Sequence, residues 1–283
     1  MAISTWTGAV DTDFGTAGNW TGGLPETGDI AYVPPGATVN IAGSDETAAP
    51  IDEFVVAPGC TITIGTEGTP LQLSFDSETN GVTTLEGTGV TYLELTEPQK
   101  VYIRAAGAAP STGKWATNIT TGDSADAECY IYVNCDSSES VSIGANSGET
   151  CEIRYLNIAG GDVAVGENVT SIGGTPACTM IINGGDVDTY CPLVNAVQND
   201  GEWRHHEGAL TNATISGGRC ELLTDDTAAA ISVSLGGELD LDKSLVTKTI
   251  TSLTLAPPAI IRNKYKTWAG TVGFASGAVI TAE

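Results

Sequence analysis

The feature of this sequence that most restricts its fold is a short phrase that recurs between residues 157 and 242. Each copy consists of an apolar run, two glycines and then residues that alternate along the chain. The second glycine stands at positions 161, 185, 218 and 237, so the copies are 24, 33 and 19 residues apart. Repeat architectures advance by one structural unit over distances in this range. The phrase predicts a β-solenoid whose glycines mark corners, where they permit tight or left-handed backbone.

The amino-acid composition favours β structure over helix. The chain of 283 residues contains 35 glycines and is rich in Thr, Val and Ile, whereas Lys, Arg and Gln are scarce. Turn signals such as Pro58-Gly59 and Asn80-Gly81 separate short strand-like runs. We therefore predict an all-β, single-chain parallel β-helix with about 22 residues in each rung and roughly nine rungs. A β-sandwich or jelly roll is the alternative.

The chain divides into three predicted parts. Residues 1–50 lack the Gly-Gly phrase and are predicted to form an N-terminal aromatic cap. Residues 51–256 would form the β-helix, with insertions near 106–127 and 199–208 where the pattern is lost. Residues 257–283 would form a C-terminal cap or a docking strand, because Pro257-Pro258 breaks the last regular rung.

Two tryptophans are the candidates for covering the N-terminal end. The first rung of a solenoid exposes unpaired backbone and a cross-section of apolar core, which something bulky must cover. Trp6 and Trp20 lie in this region, in a setting of Gly, Asp, Asn and Thr. Their alternative use is to stack on sugar rings.

The charge of the chain restricts its partners. The formal net charge is −24, and the first 99 residues contain neither Lys nor Arg. Such a surface repels nucleic acid and anionic membranes, so we expect neither as a direct partner. No run approaches the ~18 apolar residues of a membrane span, and no basic and apolar leader is present. We expect assembly in the cytoplasm, or a mature form that has lost its leader.

The seven cysteines are predicted to be reduced core residues. They alternate with aliphatic residues and form no close pair of the kind that zinc sites use. Free cysteine behaves as a small hydrophobic residue, and the alternation places it on the inward face of strands. A disulfide framework is the alternative. The cysteines are Cys60, Cys129, Cys135, Cys151, Cys178, Cys191 and Cys220.

The densest set of reactive side chains lies at residues 199–208, which contain both histidines. In a functional interpretation, His205 or His206 acts as a base or metal ligand beside Glu202 or Glu207. Adjacent residues of a strand point to opposite faces, so the two histidines cannot jointly bind one ion without a bend. The favoured interpretation is an exposed interface loop that carries Trp203. No catalytic, cofactor or metal-binding residue is therefore assigned.

The C-terminal part carries a basic stripe. On a strand, Arg262, Lys264 and Lys266 would share one face, and Trp268 follows them. The stripe could dock against an acidic neighbour, and a solvated edge strand protected by charge is the alternative. Carboxylates also follow the Gly-Gly corners, and we expect them to bind turn amides rather than a cation. They are Asp162, Asp186 and Glu238.

Two sets of segments carry a resemblance to known proteins. The N-terminal phrases, together with Gly28-Asp29-Ile30-Ala31, resemble the opening of many bacterial and bacteriophage right-handed β-helix proteins. These phrases are Thr5-Trp6-Thr7-Gly8 and Asn19-Trp20-Thr21-Gly22-Gly23-Leu24-Pro25. The Gly-Gly rungs, with Leu239-Asp240-Leu241 and residues 248–255, resemble the repetitive rungs of phage virion structural proteins. The resemblance implies a right-handed helix and a place in the virion.

These observations lead to one expected function and two alternatives. We expect a non-enzymatic virion protein without a cofactor, a capsid decoration or accessory subunit that binds the major capsid protein or other virion proteins. Self-association as a trimer and binding to surface glycans are further expected interactions. No nucleotide-binding, zinc-protease or serine-hydrolase motif is present. The alternatives are a tail-associated β-helix that binds or depolymerises carbohydrate, and a secreted cell-surface adhesin.

Overall fold

The computed structural model describes nine stretches of the chain. Nearly all of the regular structure in them is β-strand, and one short 3-10 turn lies at Ala17–Asn19. The strands stack mainly in parallel into two long sheets, which confirms the predicted parallel β-helix over the predicted alternative of a sandwich. The described residues are 1–76, 81–109, 115–121, 129–144, 151–167, 169–172, 179–243, 248–262 and 268–274.

The strands are short and follow one another closely. Their bounds are β1 Ile3–Trp6, β2 Trp20–Thr21, β3 Ile30–Val33, β4 Thr38–Ile41, β5 Asp45–Ile51, β6 Glu53–Val56, β7 Thr61–Ile64, β8 Leu71–Phe75, β9 Val82–Leu85, β10 Thr88–Thr96, β11 Lys100–Ile103, β12 Thr117–Thr121, β13 Tyr130–Asn134, β14 Ser140–Ile143, β15 Cys151–Ile153, β16 Tyr155–Gly160, β17 Asp162–Val165, β18 Val169–Ile172, β19 Thr179–Ile182, β20 Asp186–Thr189, β21 Leu193–Gln198, β22 Glu202–His205, β23 Leu210–Ile215, β24 Arg219–Leu222, β25 Thr227–Val233, β26 Glu238–Asp240, β27 Lys248–Leu255, β28 Ile260–Arg262 and β29 Trp268–Phe274.

Two sheets, A and B, form the long sides of the solenoid. Sheet A runs in the order β2-β1-β3-β6-β9-β11-β13-β16-β19-β21-β23-β25-β27-β29, and sheet B runs in the order β4-β7-β10-β12-β14-β17-β20-β22-β24-β26-β28. The additional strands β5 and β8 extend sheet B, and β15 and β18 extend sheet A. In the described chain, sheet A therefore contains 13 layers in parallel from β1 to β29. At about 4.8 Å between layers the rod is roughly 60 Å long.

The layers outnumber the predicted nine mainly because β1, β3 and β29 lie in the regions predicted as end caps, and the rungs in the C-terminal half are also short. Met180 pairs with Ala196, Ala196 with Ala213, and Ala213 with Ile231 in successive layers of sheet A. One turn of the solenoid thus takes only 16 to 18 residues here. The prediction of about 22 residues came from typical β-helix repeats. The tight three-residue corners make these turns shorter.

The Gly-Gly phrase is a three-residue corner between sheets A and B. Three successive corners have this length, 183–185, 199–201 and 216–218, and the third residue of each is a glycine with positive φ. Between β16 and β17 only Gly161 lies outside the strands, and it also has positive φ. These glycines lie above one another, and a Cβ at Gly201 would lie 2.5 Å from the carbonyl oxygen of Gly185. The close approach excludes any side chain there and confirms the predicted role of the glycines. The four residues are Gly161 (φ 95), Gly185 (φ 88), Gly201 (φ 82) and Gly218 (φ 68).

The predicted insertion at 199–208 is instead largely regular. Residues 199–201 form a corner, and β22 pairs in parallel with β20 and β24. Only the third corner residue needs the left-handed conformation, so Asp200-Gly201 replaces Gly-Gly and conceals the repeat. Within the other predicted insertion, β12 pairs with β10 and β14 in sheet B. Residues 110–114 and 122–127 of that insertion lie outside the described residues.

Aromatic side chains fill the N-terminal end of the rod. Trp6 and Trp20 are 4% and 5% exposed, and their rings meet edge to face at 5.0 Å. Phe14 packs against Trp20 at 4.8 Å, and its ring also lies 6.4 Å from that of Phe54 in the first full layers. The indole nitrogen of Trp20 donates to the carbonyl of Phe14 at 2.7 Å. Both tryptophans are therefore core residues of the end of the rod and have little surface for a partner.

The cysteines lie in the core, as predicted. Within the described residues six cysteines are buried and none forms a disulfide, and Cys178 lies outside that part of the chain. Burial raises the pKa of the thiols of Cys135 and Cys191 to about 12. The thiol form therefore dominates at neutral pH, so these residues act as small apolar side chains.

A glycine-to-alanine pair tests the stacked corner. Gly28 and Gly201 have nearly the same φ, 81 and 82, but nothing lies within 4 Å of a Cβ at Gly28. Gly28→Ala should lose about 1 kcal/mol of stability from the left-handed conformation alone. Gly201→Ala should lose a further ~1–3 kcal/mol, because its methyl group collides with the corner below. Denaturant unfolding measures both variants, and equal losses would contradict the stacking argument.

Candidate functional site

The outer face of sheet B carries charged residues in two columns from β17 to β28. Alternate residues of a strand face outward, and parallel register places equivalent residues of successive strands above one another. We call these columns the charge ladder. One column is Asp162, Asp186, Glu202, Arg219 and Glu238, and the other is Asp188, Arg204, Glu221, Asp240 and Arg262.

Each arginine of the charge ladder bridges neighbouring layers. The guanidinium of Arg204 donates to both carboxylate oxygens of Asp188, at 2.8 and 2.9 Å, and also to Asp186. Arg219 pairs with Asp240, and also with Glu221 at 3.0 Å. Single exposed ion pairs contribute about 0–1 kcal/mol, and shared networks contribute more. The ladder therefore reinforces the backbone hydrogen bonds between rungs.

The carboxylates that follow the corners belong to this ladder. Asp186 accepts from Arg204 and Glu238 accepts from Arg262, so these two bind arginines rather than the turn amides that we expected. Burial, followed by repulsion from Asp186 and Asp188, raises the pKa of Asp162. Within the described part of the chain, no group of three or more His, Cys, Asp or Glu side chains is arranged to hold a metal ion.

A groove of about 530 Å³ opens beside the ladder at the ends of β20 and β22. His206 stands in its wall, with its ring stacked on Tyr190 at 4.5 Å and 10° between the planes. The less favoured functional interpretation of the sequence placed His205 or His206 beside Glu202 or Glu207, and of these four residues the groove is lined by His206 and Glu207. The lining residues are Glu167, Tyr190, His206, Glu207, Gly208, Leu223, Asp225 and Asp226.

The groove connects to the charge ladder through Asp188. His206 Nε2 lies 2.5 Å from Asp188 Oδ1, so the carboxylate orients the imidazole. Burial raises the pKa of Asp188, but hydrogen bonds from Arg204 and His206 outweigh burial and hold the pKa below its ordinary value. A carboxylate that orients a histidine is an arrangement able to support proton transfer. Tyr190 adds a partly exposed aromatic ring to the groove.

A buried lysine supports the far wall of the groove. Lys248 is fully buried, and its Nζ donates to the carbonyl oxygen of Leu223 at 2.5 Å and to that of Thr224. Burial lowers the pKa of this amine. The contacts fix the backbone that leads to Asp225 and Asp226, and the carboxylate of Asp226 accepts from the Gly208 amide at 3.0 Å. The acidic wall is thereby held in place.

Trp203 and His205 point into the core, so the expectation of an exposed loop was wrong for them. Both are 0% exposed. Trp203 Nε1 donates to Thr189 Oγ1 at 3.0 Å, and that hydroxyl lies 2.9 Å from His205 Nδ1. His205 Nε2 lies 2.8 Å from the Gly208 carbonyl oxygen, which fixes a neutral tautomer that donates from Nε2. The two histidines thus point to opposite faces, as strand geometry requires.

The basic stripe is described only at its first residue. Arg262 is half-exposed and pairs with Glu238 on its own rod. Lys264 and Lys266 lie outside the described residues, and Trp268 begins β29 but its side chain is not described. The shared basic face therefore stays a prediction.

A tyrosine ladder on the outer face of sheet A was not predicted. Tyr102 and Tyr132 stack at 5.0 Å and 15°, and Tyr155 continues the row at 5.7 Å. The guanidinium carbon of Arg104 lies 5.3 Å from the centre of the Tyr102 ring. The rings of Tyr102 and Tyr132 cover each other's faces, whereas the ring of Tyr155 is tilted by 51° against that of Tyr132. The alternation of Tyr130 and Tyr132 along one strand was the signal in the sequence.

The burial of His205 predicts a dependence of stability on pH. Burial lowers its pKa to about 4, whereas an unfolded histidine titrates near 6.5. Between these values the unfolded chain binds more protons, so acidification should remove about 2–3 kcal/mol of stability by pH ~4.5.

Unfolding in denaturant at neutral pH and at pH ~4.5 measures this loss. His205→Gln should show a smaller loss than the wild type, and His206→Gln, at a half-buried position, is the matched control. An unchanged pH dependence in His205→Gln would count against the assignment.

Comparison of the chain with protein-family models, with curated proteins and with solved structures finds no match. In the described ranges, no helix is long and apolar enough to cross a membrane. Inference about function therefore starts from the rod, its charge ladder and the groove.

Proposed function

We propose that this chain is a non-enzymatic structural protein of a bacteriophage virion, a decoration or accessory subunit that docks on the head. The observation that carries the proposal is the stack of 13 parallel layers around one buried core. Such a stack is a stiff rod, because hydrogen bonds join each layer to the next. The sequence resemblance to phage β-helix proteins supports the same assignment.

The proposed mechanism is docking and cross-bridging. One end or flank of the rod binds the major capsid protein or other virion proteins, and the remainder projects outward. A subunit that binds the assembled lattice better than its free components stabilises the shell by mass action. The net charge of −24 supports this role, because it keeps projecting rods dispersed and apart from nucleic acid.

Mass spectrometry of purified particles tests the proposal. The chain should be present in a fixed, symmetry-related number of copies per particle. Heads depleted of the chain should be less stable. The highest temperature at which they stay intact should fall, or the lowest salt concentration at which they stay intact should rise. Particles that form normally and lack the chain would contradict the proposal.

The groove supports a second candidate function, a tail-associated protein that binds or cleaves carbohydrate. The specific observation is the His206–Asp188 contact beside Glu207, Asp225 and Asp226, with the Tyr190 ring at the edge. Carboxylates that flank a scissile bond are what glycoside hydrolysis requires. An exposed aromatic ring is a surface on which a sugar can pack.

Hydrolysis of host surface polysaccharide by the purified chain distinguishes the second candidate from the first. If the groove is catalytic, Glu207→Gln and Asp225→Asn should each lower the rate by at least about a hundredfold, the size expected for a general acid or base. Glu202→Gln is the matched control, because Glu202 lies on the charge ladder and does not line the groove. Absence of hydrolysis by the wild type would exclude the enzymatic form.

A further inference from the structure

The corners between sheets A and B become longer and more apolar near the C-terminal end of the rod. Three corners in succession contain three residues, and the next two, residues 234–237 and 256–259, contain four. Polar side chains line the three-residue corners. Asn199 donates to Asn183 at 2.8 Å, and Ser216 donates to Asn199 at 2.9 Å. In the two longer corners, apolar residues take the place of these polar side chains.

The first of the longer corners holds a leucine in a strained conformation. Gly237 N–H donates to the Ser234 carbonyl at 2.9 Å, and both residues between them have positive φ, Leu235 at 53 and Gly236 at 91. Turns with two such residues favour Asn or Gly at the first position, because a Cβ is disfavoured there. Leu235 has this strain and also exposes 74% of its surface to solvent. Neither local geometry nor core packing accounts for a leucine here.

The next corner enlarges the apolar surface around Leu235. Val233 pairs with Leu255 and Glu238 pairs with Ile260, so the two four-residue corners stack with Leu235 beside Pro257. Pro257 and Pro258 are exposed, and Ile260 is 47% exposed. We call Leu235, Pro257, Pro258 and Ile260 the apolar corner patch. Contiguous exposed apolar residues with strained backbone indicate an interface.

Cations and carboxylates pair with one another beside the apolar corner patch. The last layers of the charge ladder bring three cations to three carboxylates, although the whole chain carries −24. The cations are Arg219, Lys243 and Arg262, and the carboxylates are Glu221, Glu238 and Asp240. Arg262 and Lys243 keep more than half of their side-chain surface exposed. Another acidic rod can approach here with little repulsion.

We propose that the apolar corner patch is a self-association surface that binds a second copy of this chain. A surface that places an apolar centre next to charges of both signs can match a second copy of itself. In a symmetric contact, Arg262 of each copy can face acidic groups of the other. The patch is small, so it forms the centre of a contact whose rim is the end of the charge ladder. The proposal concerns the isolated chain and does not depend on a role in a virion.

Sedimentation of the purified chain across a range of concentrations tests the proposal. The wild type should associate as concentration rises. Leu235→Gly should weaken association by about tenfold or more, the loss expected for one leucine at the centre of an interface. The same variant should raise the midpoint of thermal unfolding of the monomer, because glycine adopts positive φ without strain. A substitution that damaged the fold would lower both the association and the unfolding midpoint. Weaker association together with a higher midpoint therefore identifies the loss of an interface.

Two further variants complete the experiment. Ile260→Thr keeps a β-branched residue in β28 and should also weaken association. Ile3→Thr is the matched control, because Ile3 is 62% exposed on β1 at the other end of the rod, and it should associate as the wild type does. A wild type that stays monomeric at every concentration would overturn the proposal, and so would a Leu235→Gly variant that associates normally.

Discussion

The structure depends on one geometric constraint, which is that every layer must repeat at the spacing of the backbone hydrogen bonds. Strands held at about 4.8 Å leave no room at the corners for side chains that point along the axis of the rod. The backbone of one corner lies against the next, as the 2.5 Å approach of a Gly201 Cβ to the Gly185 carbonyl oxygen demonstrates. Glycine in the left-handed conformation satisfies both the turn and the contact. The parallel sheets, the continuous core and the short rungs all follow from corners that stack in this way.

The same spacing organises the outer surface. A residue that faces outward meets its equivalent one layer above, so like side chains form rows. Amides bind amides from Asn157 to Asn199, and the phenol rings of Tyr102 and Tyr132 stack. Carboxylates repel one another in such a row, and on sheet B Arg204 and Arg219 offset this repulsion because they pair with carboxylates of neighbouring layers. The acidic composition of the chain is in this way compatible with close stacking of its layers.

Much of the fold could be predicted from the sequence because corners and core leave clear signals. The Gly-Gly phrase marked the corners, and alternation with aliphatic residues placed Cys129, Cys135 and Cys220 inside. The rung at 199–208 was missed because its corner keeps only the one glycine that the backbone requires. Trp203 and His205 looked like reactive surface residues, yet a hydrogen-bonded chain through Thr189 satisfies their polar atoms in the core. The groove could not be foreseen, since Glu167, Tyr190 and Asp225 come from three different rungs.

The two strands at the N-terminal end restrict what can add to that edge of sheet A. A parallel stack has no inherent limit, because each exposed edge is a template for one more strand. β2 lies against β1 in the antiparallel direction, with Trp6 opposite Trp20. A further strand in the parallel direction would find neither the register nor the open apolar cross-section that it needs. β2 thus covers the N-terminal edge of sheet A with a short antiparallel strand, which disfavours the addition of another molecule's strand in parallel at that edge.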